Sequence, residues 1–244
     1  MNRTVEVLPS GAAVTERALI LVLNHIEAAI ADHDQFRFVL AGGSTPKALY
    51  EQLAHQDLPW SKIQVFWGDE RYVPHTDPQS NMGMATQAWL SHVPIPAENL
   101  HPMPTHATDP AQAALAYEQH LRDFFGCPPG EFPAFDLILL GLGDDGHTAS
   151  LFPETAALEV CDRLITVGEK SGQPRLTFTI PLINQAHAVL LLVTGENKQS
   201  ALDQIFAETG NPRAYPARFI HPQGSLTWLL DAAAGQKLPM PEKL

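Results

Sequence analysis

A chain of 244 residues with 45% hydrophobic residues can bury a sizeable core, which excludes a disordered or fibrous protein. Its formal net charge of -12 argues against a nucleic-acid binder, which would carry a basic face. The same charge means that any anionic ligand must be held by a few well-placed cations.

Leu19, Val22, Leu23, Ile26 and Ile30 share one helical face and predict a helix over residues 15–31. Residues 36–41 read as a strand, followed by Gly42-Gly43-Ser44-Thr45-Pro46 and a helix over 46–54, with Thr45 as N-cap and Pro46 as first helical residue. Residues 63–67 read as a strand that runs into a loop, Gly68-Asp69-Glu70-Arg71. A helix is predicted over 81–90, a proline-rich connection over 91–110 and a helix over 111–125. The apolar run Phe135-Asp136-Leu137-Ile138-Leu139-Leu140 has the length and bounds of a fully buried strand. Short strands are predicted over 164–167 and 175–180, and a buried strand over 188–193. That strand leads through Thr194-Gly195 into a helix over 196–206, and a last helix is predicted over 226–234. Strands that alternate with helices predict a parallel sheet covered on both faces, within one domain over residues 1–244. Cys127 and Cys161 suit a reduced compartment and build neither a disulfide framework nor a zinc site. No apolar run approaches the about 20 residues that span a bilayer. Without a signal-peptide pattern at the N-terminus, the cytoplasm is the expected location.

Gly42-Gly43-Ser44-Thr45 lies between a strand and a helix N-terminus, where unpaired N–H groups and the helix dipole favour an anion such as phosphate. It lacks the lysine-serine/threonine ending of a nucleotide P-loop. Gly141-Leu142-Gly143-Asp144-Asp145-Gly146 matches the spacing of a dinucleotide fingerprint, but a pyrophosphate there would meet two carboxylates, and Pro153 interrupts the helix that should follow. Asp145-Gly146-His147 instead places a carboxylate two residues from an imidazole, at the C-terminal end of a buried strand. An ordinary histidine has a pKa of about 6.5, so this one can take and return a proton near neutral pH. Asp69 and Arg71 end another strand and are expected at the same sheet edge. The other histidines show no metal-ligand spacing, and there is no Gly-x-Ser-x-Gly elbow.

Taken together, Leu40-Ala41-Gly42-Gly43-Ser44-Thr45-Pro46, Trp67-Gly68-Asp69-Glu70-Arg71, Ser80-Asn81 and the run from Gly141 through His147 to Pro153 resemble the motifs of the 6-phosphogluconolactonase family. Arg175-Leu176-Thr177 and Thr194-Gly195-Glu196-Asn197-Lys198 do so as well, in the family's order. The resemblance implies a three-layer α/β/α fold with a mostly parallel, Rossmann-like sheet, of the type shared by sugar-phosphate isomerases, deaminases and CoA transferases. It implies a carboxylic-ester hydrolase that converts 6-phospho-D-glucono-1,5-lactone to 6-phosphogluconate in the oxidative pentose phosphate pathway, with no metal and no organic cofactor. The expected partner is that small sugar-phosphate lactone, with neither nucleic acid nor membrane, and the chain is expected as a monomer or weak homodimer.

On this resemblance His147 is the general base, Asp145 or its neighbour Asp144 orients it, and Asp69 lines the pocket. Gly42, Gly43, Ser44, Thr45, Arg71, Arg175 and Lys198 would hold the phosphate. The related deaminases carry a glutamate five residues after the histidine, where this chain has Phe152. A sugar-phosphate sensor on the same fold is the other alternative, but the residues before Phe36 provide too little chain for a helix-turn-helix output domain.

Overall fold

The computed structural model describes residues 2–238. The first half runs β1 (Asn2–Leu8), α1 (Gly11–His33), β2 (Phe36–Leu40), α2 (Ser44–Leu53), β3 (Ile63–Trp67), β4 (Asp69–Arg71), α3 (Asn81–Ala88), β5 (Leu100–His101) and α4 (Pro110–Phe125). The second half continues with β6 (Leu137–Leu140), β7 (Ile165–Lys170), β8 (Gln173–Phe178), α5 (Ile180–Asn184), β9 (Ala188–Val193), α6 (Gln199–Phe206), β10 (Ser225–Asp231) and α7 (Ala232–Gly235). The main sheet has seven strands in the order β1-β10-β9-β6-β2-β3-β5, with every neighbouring pair parallel. Its middle strands β6 and β9 are apolar and buried at every position, as strands covered on both faces must be.

Helices flank the sheet. In α1, Val14, Ala18, Val22, Ile26 and Ala29 form the buried stripe, Ser10 Oγ accepts the Ala13 N–H at 3.2 Å to start the helix, and Asp34 ends it in the left-handed conformation (φ 64°). The central pair β2 and β6 sets the position of the site. From β2 the chain moves outward to β3 and β5, and from β6 it moves the other way to β9 and β10. Where the strand order reverses, the loops at the carboxyl ends of β2 and β6 separate and leave a crevice.

A second, three-stranded antiparallel sheet, β4-β8-β7, stands beside that edge. The Phe178 N–H donates to the Gly68 carbonyl at 2.8 Å, which ties the small sheet to the end of β3. This sheet corrects several sequence expectations. Asp69–Arg71 is a strand and not a loop, and the strands expected over 164–167 and 175–180 pair with each other and with β4, outside the main sheet.

Other boundaries differ as well. The stretch 226–234, expected as a helix, is mostly strand β10 with a single turn of α7 after it. Its apolar run suits either structure by itself, and in-register pairing with both β1 and β9 makes it a strand. The helix that follows is capped by Asp231 Oδ1, which accepts the Ala234 N–H at 2.8 Å. Strand β1 was not anticipated, because Arg3 and Glu6 interrupt its apolar pattern. The connection over 91–110 contains β5, whose Leu100–His101 pairs with β3 and is too short for a sequence window to register. The helix after the double glycine starts at Ser44 with Gly43 as N-cap, so Thr45 is not the cap. Among the described residues no helix is long and apolar enough to cross a membrane.

Candidate active site

Loops following β2, β3, β6 and β9 converge with β8 on a cleft of 360 Å³ at the sheet's carboxyl edge. Of the sequence-predicted site residues, Gly42, Gly43, Asp69 and Arg71 line it from one side, and Asp145, His147, Arg175 and Lys198 complete it. Ser44 faces an adjoining groove of 570 Å³ that shares Gly43, Arg71, Asn81 and Arg175 with the cleft. Thr45 lines neither, since its hydroxyl is bonded to Thr194 Oγ1 at 2.8 Å.

His147 is held by a compact loop at the end of β6. The Gly143 N–H donates to the His147 carbonyl at 2.8 Å, the Gly146 N–H to the Gly143 carbonyl at 3.0 Å, and Thr148 Oγ1 to the Gly141 carbonyl at 2.8 Å. The imidazole packs so closely on Gly143 that a β-carbon there would stand 1.9 Å from Nδ1. Asp145 Oδ1 lies 2.5 Å from His147 Nδ1 and also accepts the His147 backbone N–H at 3.1 Å. The hydrogen bond from His147 holds the Asp145 carboxyl well below the usual carboxylate range, against the opposing effect of burial. With Nδ1 engaged, Nε2 is the ring nitrogen left for a ligand, and the ring rests on Phe152 with centroids 4.6 Å apart. Asp144 is occupied elsewhere. It accepts from Lys198 Nζ and from Asn197 Nδ2 at 2.9 Å, and the Lys198 hydrogen bond lowers its pKa first of all. The neighbouring aspartates, equivalent by sequence, therefore face different groups.

On the opposite wall, Asp69 and Glu70 project from β4 to opposite sides. The buried Asp69 accepts from Ser150 Oγ at 2.6 Å and from Asn81 Nδ2 at 3.3 Å. Glu70 is completely buried and accepts the backbone N–H groups of Arg71, Asn81 and Met82 at 2.7–2.8 Å and the Ser80 hydroxyl at 2.9 Å. Burial pushes its pKa up, opposed by those hydrogen bonds, and its place at the N-terminus of α3 suits a carboxylate. This clamp fixes Asn81 and Arg71. Arg71 Nη1 donates to Asn81 Oδ1, and both atoms pack onto Gly42, where a β-carbon would stand 2.9 Å from the first and 2.0 Å from the second.

The cations are arranged against their own repulsion. Strand register places Arg71 directly opposite Arg175, a like-charged pair that costs stability by itself. Burial, and then the Arg71 charge, lowers the Arg175 pKa, and Arg175 Nε is buried with no hydrogen-bond partner. The N-terminus of α2 beside them has no side-chain cap. Unsatisfied donors of these kinds have the chemistry to receive an anion.

Sequence reasoning assigned no role to Glu70, Asn81, Ser150 or Lys170, and used Phe152 only to set the chain apart from the deaminases. Ser80-Asn81 had a detectable signal as an N-cap pair at a helix start, whereas Lys170 reaches the cleft only because β7 and β8 form a hairpin over it. Among the described residues no group of His, Cys, Asp or Glu side chains is placed to hold a metal ion.

The family model described as Glucosamine-6-phosphate isomerases/6-phosphogluconolactonase matches residues 9–228. The 6-phosphogluconolactonase of Synechocystis sp. is 62% identical over 238 residues, covering 98% of this chain and 99% of that protein. The 6-phosphogluconolactonase of Nostoc sp. is 58% identical over 238 residues with the same coverage, 98% and 99%. Among solved structures, 6-phosphogluconolactonase from Trypanosoma brucei superposes with a TM-score of 0.86 at 30% identity, covering 98% of this chain and 99% of that one. With the model matched over nearly the whole length and relatives this similar from end to end, the chain belongs to the glucosamine-6-phosphate isomerase/6-phosphogluconolactonase family.

Proposed function

We propose that this protein hydrolyses 6-phospho-D-glucono-1,5-lactone to 6-phospho-D-gluconate in the oxidative pentose phosphate pathway of the cytoplasm, without a metal and with His147 as the general base. The observation that carries the reading is the His147–Asp145 pair, which shares one cleft with the Gly42-Gly43 turn and the paired guanidinium groups of Arg71 and Arg175. Relatives 58% and 62% identical over 99% of their length bear the name of this activity. Phe152, an apolar ring against the imidazole, leaves no carboxylate there for the ring-opening step of a deaminase.

The phosphate is received by the uncapped start of α2 and the arginine pair, with Ser44 at the groove beyond and Lys198 nearby. The lactone carbonyl then lies against His147. Nε2 takes a proton from water as its oxygen bonds to C1. The tetrahedral intermediate collapses with cleavage of the bond from C1 to the ring oxygen, which receives that proton from the imidazolium. Asp145, bonded to Nδ1, fixes the ring's orientation and offsets its transient positive charge. Asp69, held by Ser150 and Asn81, shapes the pocket wall. A positioned base contributes about 10²- to 10⁴-fold, enough for an activated ester that already hydrolyses slowly unaided.

The test follows acid release from freshly prepared lactone, with the unphosphorylated lactone alongside and with chelator present. His147→Ala is expected to lose most turnover while binding 6-phosphogluconate nearly as well as the wild type. Equal collapse of binding and rate would assign His147 a structural role, and loss of activity on chelation would refute metal independence.

A further inference from the structure

Hydrolysis of a lactone creates charge where there was none. The carbonyl oxygen becomes an oxyanion in the tetrahedral intermediate and half of a carboxylate in the product, so a second anionic centre develops away from the phosphate. The cleft's cations divide accordingly. Arg71 packs on the Gly42 turn and faces Arg175 across the strand pair, and Lys198 is answered by Asp144.

Lys170 remains. It is the last residue of β7, at the tip of the hairpin with β8, and an exposed lysine there would ordinarily extend into solvent. Instead it lines the cleft, with Nζ 5.3 Å from the centroid of the buried Phe152 ring. That same ring lies 4.6 Å from the His147 imidazole and has the Arg175 guanidinium carbon 5.4 Å from its centroid, so one aromatic side chain gathers the base, this ammonium and Arg175. Among the described residues no carboxylate pairs with Lys170 within 4.0 Å. Its charge nevertheless reaches the reaction end of the cleft, where it helps to depress the Asp145 carboxyl. A cation over an aromatic face at an exposed site is only weakly held, which leaves the ammonium free to move onto an anion.

We propose that Lys170 is a catalytic residue of this site, its ammonium donating to the lactone carbonyl oxygen as the oxyanion forms and then holding the nascent carboxylate. The assignment rests on the lactonase reading above. In the step it serves, the water oxygen bonds to C1, the C1–O π pair moves onto the carbonyl oxygen beside Lys170, and the proton passes to His147 Nε2. The pair then returns to C1 as the bond to the ring oxygen breaks, and the proton goes to that oxygen. Lys170 keeps its own protons throughout. Ionisation of the new acid releases a proton to water, and the carboxylate leaves from the ammonium.

The experiment compares wild type, Lys170→Met, Lys170→Arg and Arg71→Ala with two competitive inhibitors, 6-phosphogluconate and glucitol 6-phosphate. The second has the phosphate and the open chain but no carboxylate. Lys170→Met is expected to lower kcat by about 10- to 100-fold, below the full effect of a buried oxyanion donor because the site is open. It should weaken 6-phosphogluconate about 10-fold and leave glucitol 6-phosphate within about twofold, while Lys170→Arg retains most of the wild-type behaviour. Arg71→Ala should weaken both inhibitors. If Lys170→Met weakens both inhibitors alike, Lys170 belongs to the phosphate, and if its kcat is unchanged the residue is a solvated hairpin lysine; either result overturns the assignment. Wild-type protein that releases no acid from the lactone would overturn the lactonase reading together with it.

Discussion

Replacing Asp145 with Asn keeps the size of the side chain and removes its charge from the imidazole that, as the proposed general base, becomes cationic in the transition state. The contact is short, 2.5 Å between Oδ1 and Nδ1, which puts the charge centres about 4 Å apart. At that separation a pair gains about 4 kcal/mol in a medium typical of protein surfaces and about 1 kcal/mol in bulk water. The Asp145 side chain is 44% exposed and that of His147 18%, so an intermediate value of about 2 kcal/mol applies. This corresponds to a fall in kcat of roughly 30-fold, and a misoriented ring extends the loss toward about 300-fold. The assay is the initial rate of acid release, corrected for spontaneous hydrolysis, with 6-phosphogluconate inhibition as the control for binding. Inhibition should be nearly unchanged. Asp144→Asn run in parallel separates the two carboxylates. If Asp145→Asn stays within about threefold of wild type while Asp144→Asn takes the loss in kcat, the orientation role assigned to Asp145 is refuted.

The Asp144 carboxylate holds Lys198 at the rim of the cleft, so Asp144→Asn should free that ammonium for the phosphate, lower KM by about 3- to 10-fold and tighten product inhibition. The gain should shrink at high salt, and an unchanged KM at low salt would show that the ion pair does not compete with substrate. Away from the site, His101 is 7% exposed, stacked 4.3 Å from Phe66 and bonded to Gln64 Oε1 and His120 Nε2. Burial, and then the nearby His120, lowers its pKa from 6.5 to about 4. The unfolded chain therefore binds a proton there before the folded one does, and stability falls as pH drops from about 6.5 toward 4, by about 3 kcal/mol in all. Urea unfolding at pH 7 and pH 4.5 should show a smaller decline for His101→Gln, and parallel declines would refute the assignment.

Much of the site could be read from local chemistry. A double glycine after an apolar strand, and Asp-Gly-His after another, marked a candidate anion turn and a candidate base, although a strand–glycine–helix turn is as common without a ligand. Buried parallel strands such as β6 and β9 were equally legible, since strands covered on both faces are continuously apolar. Residues 226–234 were misread because their apolar run is compatible with both periodicities, and the choice belongs to the neighbours β1 and β9. The small sheet escaped notice because antiparallel pairing of Asp69–Arg71 with β8 depends on a partner about a hundred residues away in sequence.

The sequence by itself determined a parallel α/β protein with a histidine and a double-glycine turn at strand ends, because strand burial and turn chemistry are local properties of composition and spacing. Only the tertiary structure decided which aspartate serves His147 and which holds Lys198, that Arg71 and Arg175 face each other, and that Lys170 turns back over Phe152. Those are contacts between segments distant in the chain, and their geometry is set by how the two sheets meet.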